Sequence, residues 1–118
     1  MKIIIVGIGK VGYTLAKHLS AEDNDVAVID KSQEAVNWAG DSLDVMCLKG
    51  SGLSTSALLE ANVRDTDLII ATTSSDEVNM LCCLTAKRLG AKNTVARIRD
   101  PEYAREVSVL KQELGLNM

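Results

Sequence analysis

Apolar residues along this chain follow two patterns that take turns. Short runs rich in apolar residues occur at 2–6 (KIIIV), 26–29, 45–48 and 68–71, the signature of strands covered on both faces, and 94–98 reads as a fifth strand with arginine at its C-terminal end. Between them the apolar positions recur at helical spacing. From Lys10 to about Glu22, the residues Val11, Leu15 and Leu19 come every four positions and predict a helix that lies on the sheet with that stripe. Ser32 is placed to cap a short helix reaching Gly40, and another helix is expected over 54–61 with Leu58 and Leu59 as anchors. Residues 76–89 read as a longer helix stopped by Gly90. Pro101 opens a last helix, in which Val107, Leu110 and Leu114 share a register before Gly115.

Strand and helix therefore alternate from end to end. That order predicts an α/β fold of Rossmann type, a doubly wound parallel sheet of five strands in the order 3-2-1-4-5 with helices on both faces. The length of 118 residues, 47% of them hydrophobic, suits one domain over 1–118 with a real core.

Charge and cysteine usage narrow the function classes. A formal net charge of −3 supplies no positive field for nucleic acid or an anionic membrane. No apolar run approaches the about 18 residues of a membrane span, and the N-terminus lacks a signal-peptide pattern, so a cytoplasmic protein is expected. Cys47, Cys82 and Cys83 form no C-x-x-C pair, and with His18 as the sole histidine they read as free thiols rather than zinc ligands.

The chemistry concentrates in the first strand-to-helix turn. Gly7-Ile8-Gly9-Lys10-Val11-Gly12 fits G-x-G-x-x-G, follows a predicted strand and opens a predicted helix. An acid, Asp30, stands at the end of the next strand, 18 residues beyond Gly12. Gly7 permits the tight turn, Gly9 lets the backbone approach a pyrophosphate, and Gly12 lets helix and strand pack closely. The helix N-terminus then offers free N–H groups to phosphates. Asp30 is placed to accept hydrogen bonds from the ribose hydroxyls of an adenosine, the alternative being a solvated turn aspartate. Its charge favours NAD over NADP by repelling a 2′-phosphate, an effect the adjacent Lys31 offsets in part. Lys10 is equally suited to reaching a terminal phosphate or pointing to water.

Later segments extend the crevice. Thr73 and Ser74 follow the fourth strand, where the strand order reverses, and either line the ligand or cap the next helix. Arg97 and Arg99, two apart on the fifth predicted strand, share a face that serves the far half of a dinucleotide or pairs with Asp100 or Glu102. On the 76–89 helix, Val78, Leu81, Cys82, Thr85 and Leu89 suit the sheet-facing side. Met80 and Leu84 form a second apolar edge, for a subunit contact or a neighbouring helix. No catalytic grouping accompanies the nucleotide loop, which favours a binding module over the alternative, the cofactor domain of an NAD-dependent oxidoreductase.

MKIIIVGIGKVG, the VID ending at Asp30, DLIIATTSSDEVNM and VARIRDPEYA together resemble the RCK, or KTN, family, the N-terminal domain of the TrkA regulatory subunit of bacterial and archaeal Trk potassium uptake systems. The resemblance spans essentially the whole chain. It implies a cytoplasmic regulatory module that senses NAD or NADH, or alternatively ATP or ADP. That module would form a homo-oligomer and control a membrane potassium transporter from the inner face of the membrane. It also implies phosphate contacts from Gly7, Ile8, Gly9, Lys10 and Val11, the ribose on Asp30, and Ser51 near the adenine. Thr73 and Ser74 would then lie on the crevice, with Arg97 toward the distal part. Family members continue into another strand and a C-terminal ligand-binding domain, so the chain reads as an excised domain or a short homologue.

Overall fold

The computed structural model describes residues 1–106. The expected Val107, Leu110, Leu114 and Gly115 portion of the last helix lies outside the described residues. The elements are β1 (Lys2–Val6), α1 (Lys10–Ala21), β2 (Asp25–Asp30), α2 (Gln33–Ser42), β3 (Met46–Lys49), α3 (Thr55–Glu60), β4 (Leu68–Ala71), α4 (Asp76–Leu89) and β5 (Asn93–Ala96). A single 3-10 turn, Val63–Asp65, precedes β4, and residues 101–106 are helical.

The strands form one parallel sheet in the order β3-β2-β1-β4-β5, as the alternation of patterns predicts. β1 is central and buried on both faces. Its alternating side chains divide the core: Ile3 and Ile5 pack with Val26, Val28, Ala16 and Val36 under α1 and α2. Ile4 and Val6 pack with Ile29, Leu58, Ile69 and Cys82 under α3 and α4. An unbroken run such as KIIIV is thereby explained, because neither face of the strand meets water.

Helix faces depart from the expected stripes at several positions. On α1 the fully buried residues are Gly12 and Ala16, with Leu15 and Leu19 only partly covered and Val11 exposed. The helix lies so close to the sheet that only small residues fit the contact line, which displaces the larger stripe to its flank. On α3, Leu58 is buried but Leu59 is exposed, since a six-residue helix can turn only one of two adjacent leucines inward. On α4 the sheet-facing residues are Asn79, Cys82, Cys83 and Ala86, while Leu81 is 49% exposed. Met80 and Leu84 are half-buried. Finally, β5 ends at Ala96, so Arg97 and Arg99 lie beyond the strand rather than on it.

Serines set three of the helix starts. Ser32, Ser54 and Ser75 each accept the backbone N–H three residues on, that of Ala35, Ala57 and Val78. At α1 the capping position is Gly9, with no side-chain cap.

Candidate functional site

Parallel strands deliver their C-terminal ends to one edge of the sheet, and the crevice opens where the chain leaving β1 and the chain leaving β4 turn to helices on opposite faces. Backbone hydrogen bonds carry the ladder past the strand ends: Gly7 N–H donates to Ile29 O at 2.8 Å, Gly50 N–H to Asp30 O at 2.9 Å and Thr72 N–H to Val6 O at 2.8 Å. The loops after β1, β2, β3 and β4 are thus held side by side. They enclose a cleft of about 480 Å³ whose wall includes Gly7, Ile8, Gly9, Asp30, Lys31, Ser51, Thr73 and Ser74.

The glycine loop is dictated by crowding at two positions and openness at a third. Gly7 has φ +95°, and a Cβ there would stand 2.8 Å from Thr73 N. A Cβ on Gly12 would collide with the carbonyl oxygen of Gly7. At Gly9 a Cβ would meet nothing within 4 Å, because that position faces open cleft. The uncapped first turn of α1 lies directly behind it, the arrangement that leaves N–H groups for an anion.

Asp30 ends β2 and is already engaged. Its Oδ2 accepts Ile8 N–H at 2.7 Å and its Oδ1 accepts Ser32 N–H at 2.8 Å. One carboxylate therefore holds both the glycine loop and the entry to α2, while each oxygen keeps a further lone pair for a donor in the cleft. Ser51 Oγ accepts Leu53 N–H at 3.1 Å, which shapes the Gly50–Ser51–Gly52 turn along the same wall.

The fourth wall is the loop after β4. Thr72, 6% exposed, donates its hydroxyl to Gly7 O at 3.0 Å and locks this loop to the glycine turn. Thr73 donates both its N–H (2.9 Å) and its hydroxyl (2.7 Å) to Oδ1 of Asn79. That hydroxyl is committed to the protein, so Thr73 meets the cleft with the rest of its surface. Neither Thr73 nor Ser74 caps α4, a role that falls to Ser75.

Four of the expected residues stand apart from the cleft wall, namely Lys10, Val11, Gly12 and Arg97. Gly12 acts beneath the loop by its smallness, and Lys10 and Val11 are exposed in the first turn of α1. Ile8 is on the wall, but its side chain is 3% exposed and sits in the core, leaving only its backbone for a ligand. Arg97 donates its N–H to Ala71 O at 2.9 Å, and its carbonyl accepts from Asn79 Nδ2 at 2.8 Å. Arg99 does not pair with Asp100 or Glu102; its Nη2 donates to Ser74 O at 2.7 Å.

Three residues absent from the sequence-based site organise it: Thr72, Asp76 and Asn79. Asp76 accepts Arg99 N–H (3.0 Å) and Asp100 N–H (2.9 Å), and these two bonds hold its carboxyl below the ordinary carboxylate range. Asn79 was legible in principle, since the spacing 79, 82, 83, 86 marks the inward face of α4 and puts a polar residue on it. The thiols on that face are buried, and burial pushes Cys82 and Cys83 up to about 12. They are neutral at physiological pH and poor nucleophiles. Among the described residues, no group of His, Cys, Asp and Glu is arranged to hold a metal ion.

Residues 3–117 match the TrkA-N domain. This chain belongs to that family. The TrkA-N domain here is 40% identical over 111 residues to the Trk system potassium uptake protein TrkA of Vibrio alginolyticus, covering 93% of this chain and 24% of that protein. It thus spans about a quarter of the length of that curated relative. In three dimensions it resembles the GsuK channel bound to NAD, with TM-score 0.80, 22% identity and coverage of 92% of this chain and 20% of that one. It also resembles the Shewanella denitrificans Kef CTD in AMP-bound form, with TM-score 0.75, 20% identity and coverage of 98% and 67%. Both likenesses bear on the fold. No helix among the described residues is long and apolar enough to cross a membrane.

Proposed function

We propose that this TrkA-N domain is a cytoplasmic regulatory module that binds an adenosine nucleotide, NAD or NADH or alternatively ATP or ADP, and governs potassium flow through a membrane Trk-type transporter. The observation that carries the nucleotide reading is the conjunction of Asp30 and the open backbone at Gly9 across one cleft. The carboxylate suits the ribose hydroxyls, and the uncapped start of α1 suits the phosphates. Gly7, Ile8, Gly9, Asp30, Lys31, Ser51, Thr73 and Ser74 are the contacts this reading assigns, with Lys10 reaching in from the rim. The TrkA relative and the NAD-bound and AMP-bound neighbours support it.

What lines the cleft supports the regulatory reading. Its wall carries one carboxylate and one ammonium, Asp30 and Lys31, and no histidine or cysteine. Such a wall can hold a ligand and lacks an evident acid–base pair for a second substrate. The experiment is to titrate the purified chain with NADH while following its absorbance. Saturable binding without loss of NADH is the expected result. Steady oxidation in the presence of a small carbonyl substrate would favour the oxidoreductase reading, which the same fold also serves.

A further inference from the structure

The segment from Thr72 to Asn79, the loop after β4 and the start of α4, has two sides. One faces the cleft through Thr73 and Ser74, and the other grips the chain that leaves β5. Asn79 joins the two sides. It is 0% exposed and its side-chain amide makes four hydrogen bonds. Three go to Thr73: Oδ1 accepts the N–H and the hydroxyl, and Nδ2 donates to the carbonyl at 3.2 Å. The fourth, from Nδ2 to Arg97 O, is 2.8 Å.

We propose that Asn79 is a positioning residue that ties the place of Thr73 in the cleft wall to the backbone of Arg97, so that nucleotide occupancy is transmitted to residues 97–100. This rests on the nucleotide reading above. The amide is planar and rigid, and its complete burial makes a lost bond costly. A displacement of Thr73 therefore carries the amide with it or leaves a buried polar atom unpaired, and the first alternative moves Arg97 O. Three further bonds act in the same sense. Ser74 O holds the Arg99 guanidinium, and Asp76 holds the N–H groups of Arg99 and Asp100, so the segment ahead of helix 101–106 follows the loop as one body. Asn79 itself does not line the cleft.

Residue-resolved amide hydrogen exchange of the 118-residue chain, with and without saturating NADH, tests the link. NADH is expected to slow exchange in the glycine loop and also at Arg99 and Asp100, the latter by about fivefold or more, the low end for coupled sites. Asn79→Asp keeps acceptors for Thr73 but opposes Arg97 O with a carboxylate oxygen. Its glycine loop should still be protected by NADH, while the response at Arg99 and Asp100 is lost. Protection confined to the cleft in the unaltered chain overturns the proposal, as does an Asn79→Asp chain that keeps the distal response. No protection anywhere overturns the nucleotide reading, and the link with it. If the variant does not fold, protection confined to the cleft in the unaltered chain still overturns the proposal.

Discussion

Asp30 serves the fold and the cleft with the same two oxygens. Because it already accepts N–H groups from Ile8 and Ser32, Asp30→Ala removes the ligand contact proposed for it and also frees the glycine loop it holds. The expected outcome is a loss of about 1 to 3 kcal/mol in NADH or ADP affinity by calorimetry, the scale of a charge-assisted hydrogen bond. Unchanged affinity would reduce Asp30 to a turn residue. Gly12→Ala tests a different physics. Its methyl would strike the Gly7 carbonyl, a backbone group that cannot rotate aside, so about 1 to 3 kcal/mol or more of stability should be lost in urea unfolding. Both residues were legible from spacing alone. The inward place of Asn79 was legible in the same way, but not that it reaches Thr73 and Arg97 at once, which no local pattern reports.

The N-terminal turn of α4 is where an element's chemistry becomes testable. Asp76 is held below the ordinary carboxylate range by the Arg99 and Asp100 N–H groups, and Glu77 by the Tyr103 hydroxyl, 2.6 Å away. At the opposite end of the sheet, Asp67 is lowered by the N–H of Lys2 and by the Lys92 ammonium. Each of these groups binds its proton more weakly folded than unfolded. Their stabilisation is therefore complete above the unfolded carboxylate value of about 4 and is lost as pH falls through the lower folded values. Asp76→Asn should lower the melting temperature at pH 7, and the gap to the unaltered chain should narrow as acid protonates Asp76 in the latter. A gap that stays constant across the acid range would show that the bonds to Arg99 and Asp100 owe nothing to charge.

For the whole molecule, a transporter can respond only to a ligand that stabilises one arrangement of the regulator over another. We expect the chain to self-associate and its small-angle scattering to differ between NADH and ATP, with the difference lying between copies rather than within each. The structure moves the candidate contact on α4 from Met80 and Leu84 to Leu81, because Leu81 is 49% exposed and the other two are half-buried. Leu81→Lys should then weaken association and leave nucleotide affinity unchanged. A chain that is monomeric at every concentration, with scattering blind to ligand, would place the switch in segments beyond this domain, which spans a quarter of its Vibrio relative.

The order of amino acids alone determined the alternation of strand and helix, the central place of KIIIV and the strand order, because burial on two faces and glycine's tolerance are local demands that leave local patterns. It determined the cleft's glycines and Asp30 for the same reason. Tertiary structure decided what those residues touch. Ile8 finds the Asp30 carboxylate across 22 positions of sequence, and the Thr72 hydroxyl reaches Gly7 across 65. It also decided that Gly12 and Ala16 rather than Val11 face the sheet, since the distance between helix and strand is set by both partners and written in neither. Arg97, expected on the fifth strand, lies just beyond β5, and there its carbonyl accepts a hydrogen bond from the Asn79 amide.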